Sequence, residues 1–196
     1  MTSIRRQPED EFVGPCYAWW PGDALPDLPP LDDFSVDAAG DDRSLAALAG
    51  LDVAEVAARR RDGNRPYVAR VAGAVAGWGW VAEELLEIGE LAVTTALPPG
   101  EYYLWDFVTV ERWRGRGIYP RLLQAILRDV LPPDAHCWIG HEPGNVASSR
   151  GILKAGFRRV GDIYARAGVG YILDPVGPIE RARVGAPLFG AVVAEA

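Results

Sequence analysis

Between residues 112 and 117 the chain places Arg112, Arg114, Gly115, Arg116 and Gly117, a basic cluster in a protein whose net charge is −7. An aromatic and β-branched run, Glu101 to Val110, precedes the cluster. Behind it comes a helical pattern beginning near Pro120, with Leu122, Leu123, Ile126 and Leu127 on one face. The spacing predicts a strand, a tight basic turn and a helix. The first amides of a helix have no partner within it and form a ready anion site. Glycine lets the backbone approach a phosphate closely, and the arginines add charge. The chemistry indicated is the binding of a diphosphate. No Gly-Lys-Ser/Thr follows, so this is not a P-loop, and Gly115-x-Gly117 lacks the third glycine of the dinucleotide fingerprint.

The elements that must position this turn can be read in outline. Residues 1–32 carry Pro21, Pro26, Pro29 and Pro30 and are expected to form an irregular arm. One short strand is expected in it at 16–20, anchored by Tyr17, Trp19 and Trp20. Phe34 and Val36 suit a short strand, with Asp41-Asp42 as a helix cap behind it. Two short amphipathic helices follow, broken near Gly50, the second capped by Asp52 and closed by a solvated Arg59-Arg60-Arg61 end. Tyr67–Val71 and Ala74–Val81 read as a hairpin in which Gly77 and Gly79 leave room for a close neighbour. An acidic connection spans 83–90 and is compatible with a helical turn. Beyond the α-helix at 120–130, stopped by Pro132-Pro133, come a strand at 136–140, a helix at 145–154 closed by Ala155-Gly156, and strands at 157–164 and 170–173. The order places the chain in the α+β or α/β class with a central mixed sheet.

Composition narrows the function classes. The two cysteines, Cys16 and Cys137, form no disulfide framework and no CxxC metal pair. The first residues hold two arginines but no apolar run, unlike a secretory signal. No stretch approaches the length of a membrane span. Acidic net charge argues against a broad nucleic-acid surface. The expectation is a cytoplasmic protein without metal, nucleic-acid or membrane partners.

The run Leu104 to Leu123 resembles motif A of the GNAT acyltransferase superfamily, a strand followed by Arg/Gln-x-x-Gly-x-Gly/Ala and a helix. Arg114-x-x-Gly117-x-Tyr119 fills that frame, with Leu122-Leu123 at the paired leucines; Tyr119 stands where the family has Gly or Ala. A second frame, Arg112-x-x-Gly115-x-Gly117, matches the letters but shifts the leucines by two. Asn145-Val146-Ala147-Ser148, with Gly156-Phe157 beyond, resembles motif B. The likeness covers residues 33–173, leaving 1–32 as an arm and 174–196 as a tail packed on the domain. It implies the GNAT fold, a central, mostly antiparallel twisted sheet with one splayed strand pair, flanked by helices.

The resemblance further implies acetyl-CoA as cosubstrate and an amine, most simply a small molecule, as acceptor. The cofactor site would comprise the backbone of Phe107, Val108 and Thr109, the turn Arg114, Gly115, Arg116, Gly117, Ile118 and Tyr119, and Asn145 with Ser148 at the pantetheine. An N–H near Phe107 or Val108 would stabilise the oxyanion. The tyrosine that many members place four residues before the Gly of Gly-Phe is here Ile152, so the proton donor stays open among Ser148, Ser149, Tyr164 and water. The base stays open among Asp106, His141, Glu142 and the glutamates of the 83–90 connection. His141 has the suitable intrinsic pKa; Asp106 equally suits a structural carboxylate, and Asn145 a helix cap. Acetylation of protein N-termini or lysines, and CoA binding without turnover, are the rival readings. The arm and the apolar tail leave room for a homodimer contact.

Overall fold

The computed structural model describes residues 4–195. Strand β1 (Glu11–Trp19) is followed by β2 (Phe34–Ala38), α1 (Asp42–Ala49) and α2 (Val53–Arg61). Asp41 caps α1 by accepting from Ser44 N at 2.8 Å, and Gly50 ends it in the left-handed region. Asp52 precedes α2 but makes no side-chain cap. The expected hairpin is β3 (Asn64–Val71) and β4 (Ala74–Ala82). The acidic connection holds a short 3-10 turn, Gly89–Leu91, but is otherwise largely extended. It forms a separate two-stranded hairpin, β5 (Leu85–Ile88) with β6 (Val93–Ala96), because Leu86 is buried against the second core.

The central strand β7 (Glu101–Thr109) leads through the basic turn into α3 (Ile118–Ala125), which widens into a π-helical turn over Ile126–Val130. Then come β8 (His136–Gly140), α4 (Val146–Ala155), β9 (Arg158–Arg166), β10 (Gly170–Pro175), α5 (Ile179–Gly185) and β11 (Ala191–Val193). The tail thus contributes a helix and an edge strand to the fold.

Nine strands form one sheet in the order β11-β10-β9-β1-β8-β7-β4-β3-β2. Neighbours are antiparallel except β7–β8 and β10–β11. The sheet is mixed and mostly antiparallel, with helices on both faces, an α+β architecture. α3 and α4 pack over one face around Leu122, Leu123, Ile126 and Ile152. The other face is covered by α1 and α2 around Trp80, and by α5, Phe189 and the β5–β6 hairpin. No helix among the described residues is long and apolar enough to cross a membrane.

The N-terminal segment departs most from expectation. The short strand expected at 16–20 is present, but it begins at Glu11 and is an interior strand rather than part of an irregular arm, antiparallel to β8 on one side and β9 on the other. Tyr17 and Trp19 point into one core, Cys16 and Ala18 into the other, the alternation a strand requires. Register shifts between Phe12 and Gly14 and between Cys16 and Tyr17 bracket Pro15, which is how an interior strand accommodates proline.

Beyond β1 the chain is fastened by Asp23. Its carboxylate accepts from Arg181 Nη1 and Nη2 at 2.6 and 2.8 Å and from Trp20 N at 2.9 Å, with Arg158 Nε also at 2.9 Å. Burial alone would raise its pKa, but these donors prevail and hold it below the usual carboxylate value. A lowered pKa stabilises the fold above the unfolded value, and that stabilisation is lost as pH falls through the folded one. Asp23→Asn is expected to cost about 3 kcal/mol, since it leaves two arginines without their charge partner. The difference from the unmodified protein, measured by urea denaturation, should shrink as pH falls below about 4.

Candidate active site

The site begins at a fault in the central strand. Trp78 pairs with Val108 and Trp80 with Trp105, so Gly79 alone faces both Asp106 and Phe107. This is a β-bulge, whose extra residue leaves the ladder and bends the strand. Asp106 takes the strain at φ 51°, a conformation that short polar side chains tolerate better than most. Three contacts hold it there. Arg59 Nη1 meets Asp106 Oδ2 at 2.7 Å. The Arg59 guanidinium lies over the Trp105 and Trp80 rings, 4.7 and 5.2 Å from their centroids. Trp105 Nε1 in turn donates to buried Asn64 Oδ1 at 2.9 Å. Arg59 is therefore not a solvated helix end, and neither is Arg60, which pairs with Asp42 at 2.7 Å.

Gly77 and Gly79 do leave room for close neighbours. A Cβ at Gly77 would stand 2.7 Å from the Val108 carbonyl oxygen, and one at Gly79 would overlap the Phe107 ring. On the opposite edge of β7, pairing with β8 runs from Glu101↔His136 to Leu104↔Ile139 and stops there. From Trp105 onward the two parallel strands part. A cleft of about 1010 Å³ opens between them, bounded by Trp105–Phe107 on one side and Gly140–Asn145 on the other.

Tyr119, in the first turn of α3, lines this cleft, and the basic turn immediately precedes it in the chain. Gly115 (φ 76°) and Gly117 (φ 72°) are both left-handed, and Gly117, the residue before the helix, has no side chain to cap its first amides. Arg112, Arg114 and Arg116 are exposed. Arg121, which sequence reasoning missed, folds back from α3 and donates to the carbonyls of Gly117 (2.8 Å) and Arg116 (3.4 Å), and also to that of Pro29. It thereby occupies acceptors of the turn, and because the Arg114 and Arg116 N–H groups donate to the Glu111 and Trp113 carbonyls, the groups that can meet an anion are the first amides of α3. The donor set fits a diphosphate, with Gly117 at the start of the helix as the first of the two frames requires.

Asn145 caps α4, its Oδ1 accepting from Ser148 N at 3.0 Å, which leaves Nδ2 as the end it can offer to a ligand. Both residues line the cleft. Ser148 Oγ also meets Tyr119 Oη at 3.3 Å. The Tyr119 ring packs 5.6 Å from that of Phe107 and over Gly151, where a Cβ would overlap it. Tyr119 thus turns away from the phosphate turn toward the strand gap, and burial pushes its phenol up to about 12.

The structure gives the base candidates partners. Asp106 is bound to Arg59. His141 Nδ1 lies 2.8 Å from the Glu142 carbonyl, which can only accept, so Nδ1 carries the proton. Nε2 faces the Tyr17 hydroxyl at 3.2 Å, and Tyr17 Oη lies 3.0 Å from Ser149 Oγ. The Nε2 edge of His141 is therefore directed into the protein, at β1. Ile152 is wholly buried. Tyr164, another candidate donor, packs 5.5 Å from Phe12 with Arg6 over its ring, and it is not among the residues lining the cleft. Among the described residues that line the cleft are four carboxylates, Glu11, Glu87, Asp106 and Glu142, and a single guanidinium, Arg59.

A sequence model described as the acetyltransferase (GNAT) family matches residues 31–157. This chain belongs to that family. The GNAT match takes in the bulged strand, the basic turn and α4, and leaves β1 outside it. Among solved structures, a GCN5-related N-acetyltransferase from Kribbella flavida is similar over 76% of this chain and 55% of its own, at 15% identity and a TM-score of 0.51. A GNAT-family acetyltransferase from Colwellia psychrerythraea is similar over 76% and 53%, at 17% identity and a TM-score of 0.50. This chain spans about half the length of both. An aminoglycoside acetyltransferase solved with coenzyme A is similar over 70% of this chain and 90% of its own, at 20% identity and a TM-score of 0.53. At these identities the likeness establishes the GNAT fold. Comparison with curated proteins gives no match.

The bulge can be tested directly. Gly79→Ala places a methyl group beneath Phe107 and should cost about 1–3 kcal/mol by overpacking. Because the strain falls on Phe107, it should also weaken coenzyme A binding; chemical denaturation and titration calorimetry read the two effects separately.

Proposed function

We infer that this GNAT domain transfers an acetyl group from acetyl-CoA to the primary amine of a small molecule, by direct attack on the thioester. The observation that carries this reading is the cleft itself. It is lined by Tyr119, just beyond the uncapped basic turn, and by the carboxylates of Glu11, Glu87, Asp106 and Glu142, and it passes a strand whose bulge frees backbone groups at Phe107. The relatives with coenzyme A, and one with coenzyme A and kanamycin, support a long thioester donor and a small amine acceptor.

In this reading the diphosphate rests on the amides after Gly117, with Arg114 and Arg116 beside it. The pantetheine extends along the backbone of Phe107 to Thr109 and meets Asn145 and Ser148. The thioester carbonyl comes to an N–H near Phe107 or Val108, placed before the reaction to stabilise the oxyanion. The acceptor arrives from the other side, where Glu11, Glu87 and Glu142 attract a cation. Its neutral amine attacks the carbonyl carbon and the C–N bond forms. The nitrogen gives up a proton to water at the open mouth of the cleft, the C–S bond breaks, and the sulfur leaves with the electron pair. Asp106 and His141, both engaged, shape the site rather than take that proton.

Incubating the protein with acetyl-CoA and a panel of polyamines, amino sugars, arylamines and short peptides, while measuring free thiol and product mass, tests this reading. Amine-dependent thiol release with addition of one acetyl group to a small cationic amine is expected. Acetyl-CoA binding without thiol release from any amine would reject turnover, and acetylation of peptides alone would reject the small-molecule acceptor.

A further inference from the structure

Cleavage of a thioester leaves a thiolate, and a buried thiolate needs a proton. The cleft is lined by four hydroxyl-bearing side chains, Tyr103, Tyr119, Ser148 and Tyr171. Tyr103 sits where β7 and β8 are still paired, opposite Trp138, so it precedes the gap. Tyr171 lies on β10, paired with Ala165 of β9 and Ala191 of β11, away from the strand gap. Tyr119 and Ser148 remain, and they are in contact with each other at 3.3 Å.

Three features aim Tyr119 at the gap. Its ring leans against Phe107, the residue at the bulge. Gly151 on α4 clears the space that the ring occupies, since any Cβ there would overlap it. Ser148, one turn earlier on α4, meets the hydroxyl from the half-exposed side. The arrangement joins the packed helices α3 and α4 through one phenol, with a half-exposed hydroxyl behind it.

Building on the acetyl-transfer reading, we propose that Tyr119 is the catalytic proton donor to the departing sulfur, with Ser148 returning the proton. As the tetrahedral adduct collapses, the C=O bond re-forms, the C–S bond breaks and its electron pair goes to sulfur. The Tyr119 O–H proton moves to that sulfur and yields the free thiol. Ser148 passes its own proton to the phenolate and regains one from water. Together with the proton lost by the amine, the cycle balances: amine and thioester give amide and thiol. The high pKa of Tyr119 keeps the phenol protonated through the physiological range, so the donor is always loaded.

Tyr119→Phe tests this, because it keeps the ring over Gly151 and removes only the hydroxyl. With an acceptor amine, kcat should fall about 100-fold, while KM for acetyl-CoA and the stabilisation by acetyl-CoA stay unchanged. The discriminating readout is the oxygen-ester analogue of acetyl-CoA, whose alkoxide leaving group needs the proton more than a thiolate does. The defect of Tyr119→Phe should widen on that analogue, whereas a packing role would lower both donors by the same factor. Ser148→Ala leaves the Tyr119 ring in place and should show a smaller defect with the same widening, which keeps the test available if Tyr119→Phe does not fold. Unchanged kcat, or equal losses on the two donors, would overturn the proposal while the unmodified enzyme still turns over. Absence of turnover in the unmodified enzyme would instead reject the acetyl-transfer reading on which it rests.

Discussion

The ion pair between Arg59 and Asp106 sets the shape on which the rest of the site depends. The Asp106 side chain is 37% exposed, so the pair is worth little as a contribution to stability, about 0.2–1 kcal/mol. A left-handed L-residue costs about 1–2 kcal/mol. The two are of similar size, and the Arg59 stacking on Trp105 and the Phe107 packing over Gly79 supply the remainder. The result is a bulge held at small net cost in the middle of the sheet. At Leu104 β7 is paired on both edges; beyond it, β7 keeps β4 and loses β8. The cleft follows from that single change.

Different elements finish the cleft. Where α3 begins, Arg121 engages carbonyls of the turn and Gly117 leaves the first helix amides without a side-chain cap. β1, β5 and the residues after β8 bring carboxylates to its lining. Gly14 approaches β8 so closely that a Cβ there would lie 2.6 Å from the His141 carbonyl oxygen. Tyr17 then holds the His141 ring through its hydroxyl. A strand that lies outside the family match therefore fixes the orientation of a residue at the mouth of the cleft.

What could be read in the sequence was local. The strand at His136–Gly140, the β3–β4 hairpin, the glycine turn before α3 and the Asn145 cap all announce themselves within a few residues. Gly77 and Gly79 could be read as clearances, though not as the seats of Val108 and Phe107. The misreadings share a cause, which is separation along the chain. β1 has partners more than 110 residues away, and Pro15 together with the prolines that follow the strand conceals it. Arg59 belonged to a charge run at a helix end until the fold brought it to Asp106, 47 positions later. Tyr119 read as a poor fit to the phosphate turn because Gly151, which receives its ring, lies on another helix. The glutamates of 83–90 hid the two leucines that make that segment a strand.

The central claim, that the parted strands and the basic turn accept acetyl-CoA, is tested most directly by thermal unfolding with and without it. At about a hundred times the dissociation constant, binding should add about 2.7 kcal/mol to the unmodified protein. The double variant Arg114→Glu, Gly117→Glu, which opposes the diphosphate with charge and strains the turn, should lose that increment. Stabilisation present in the first and absent in the second is the predicted result. No stabilisation of the unmodified protein across a wide range of acetyl-CoA concentration would contradict the account.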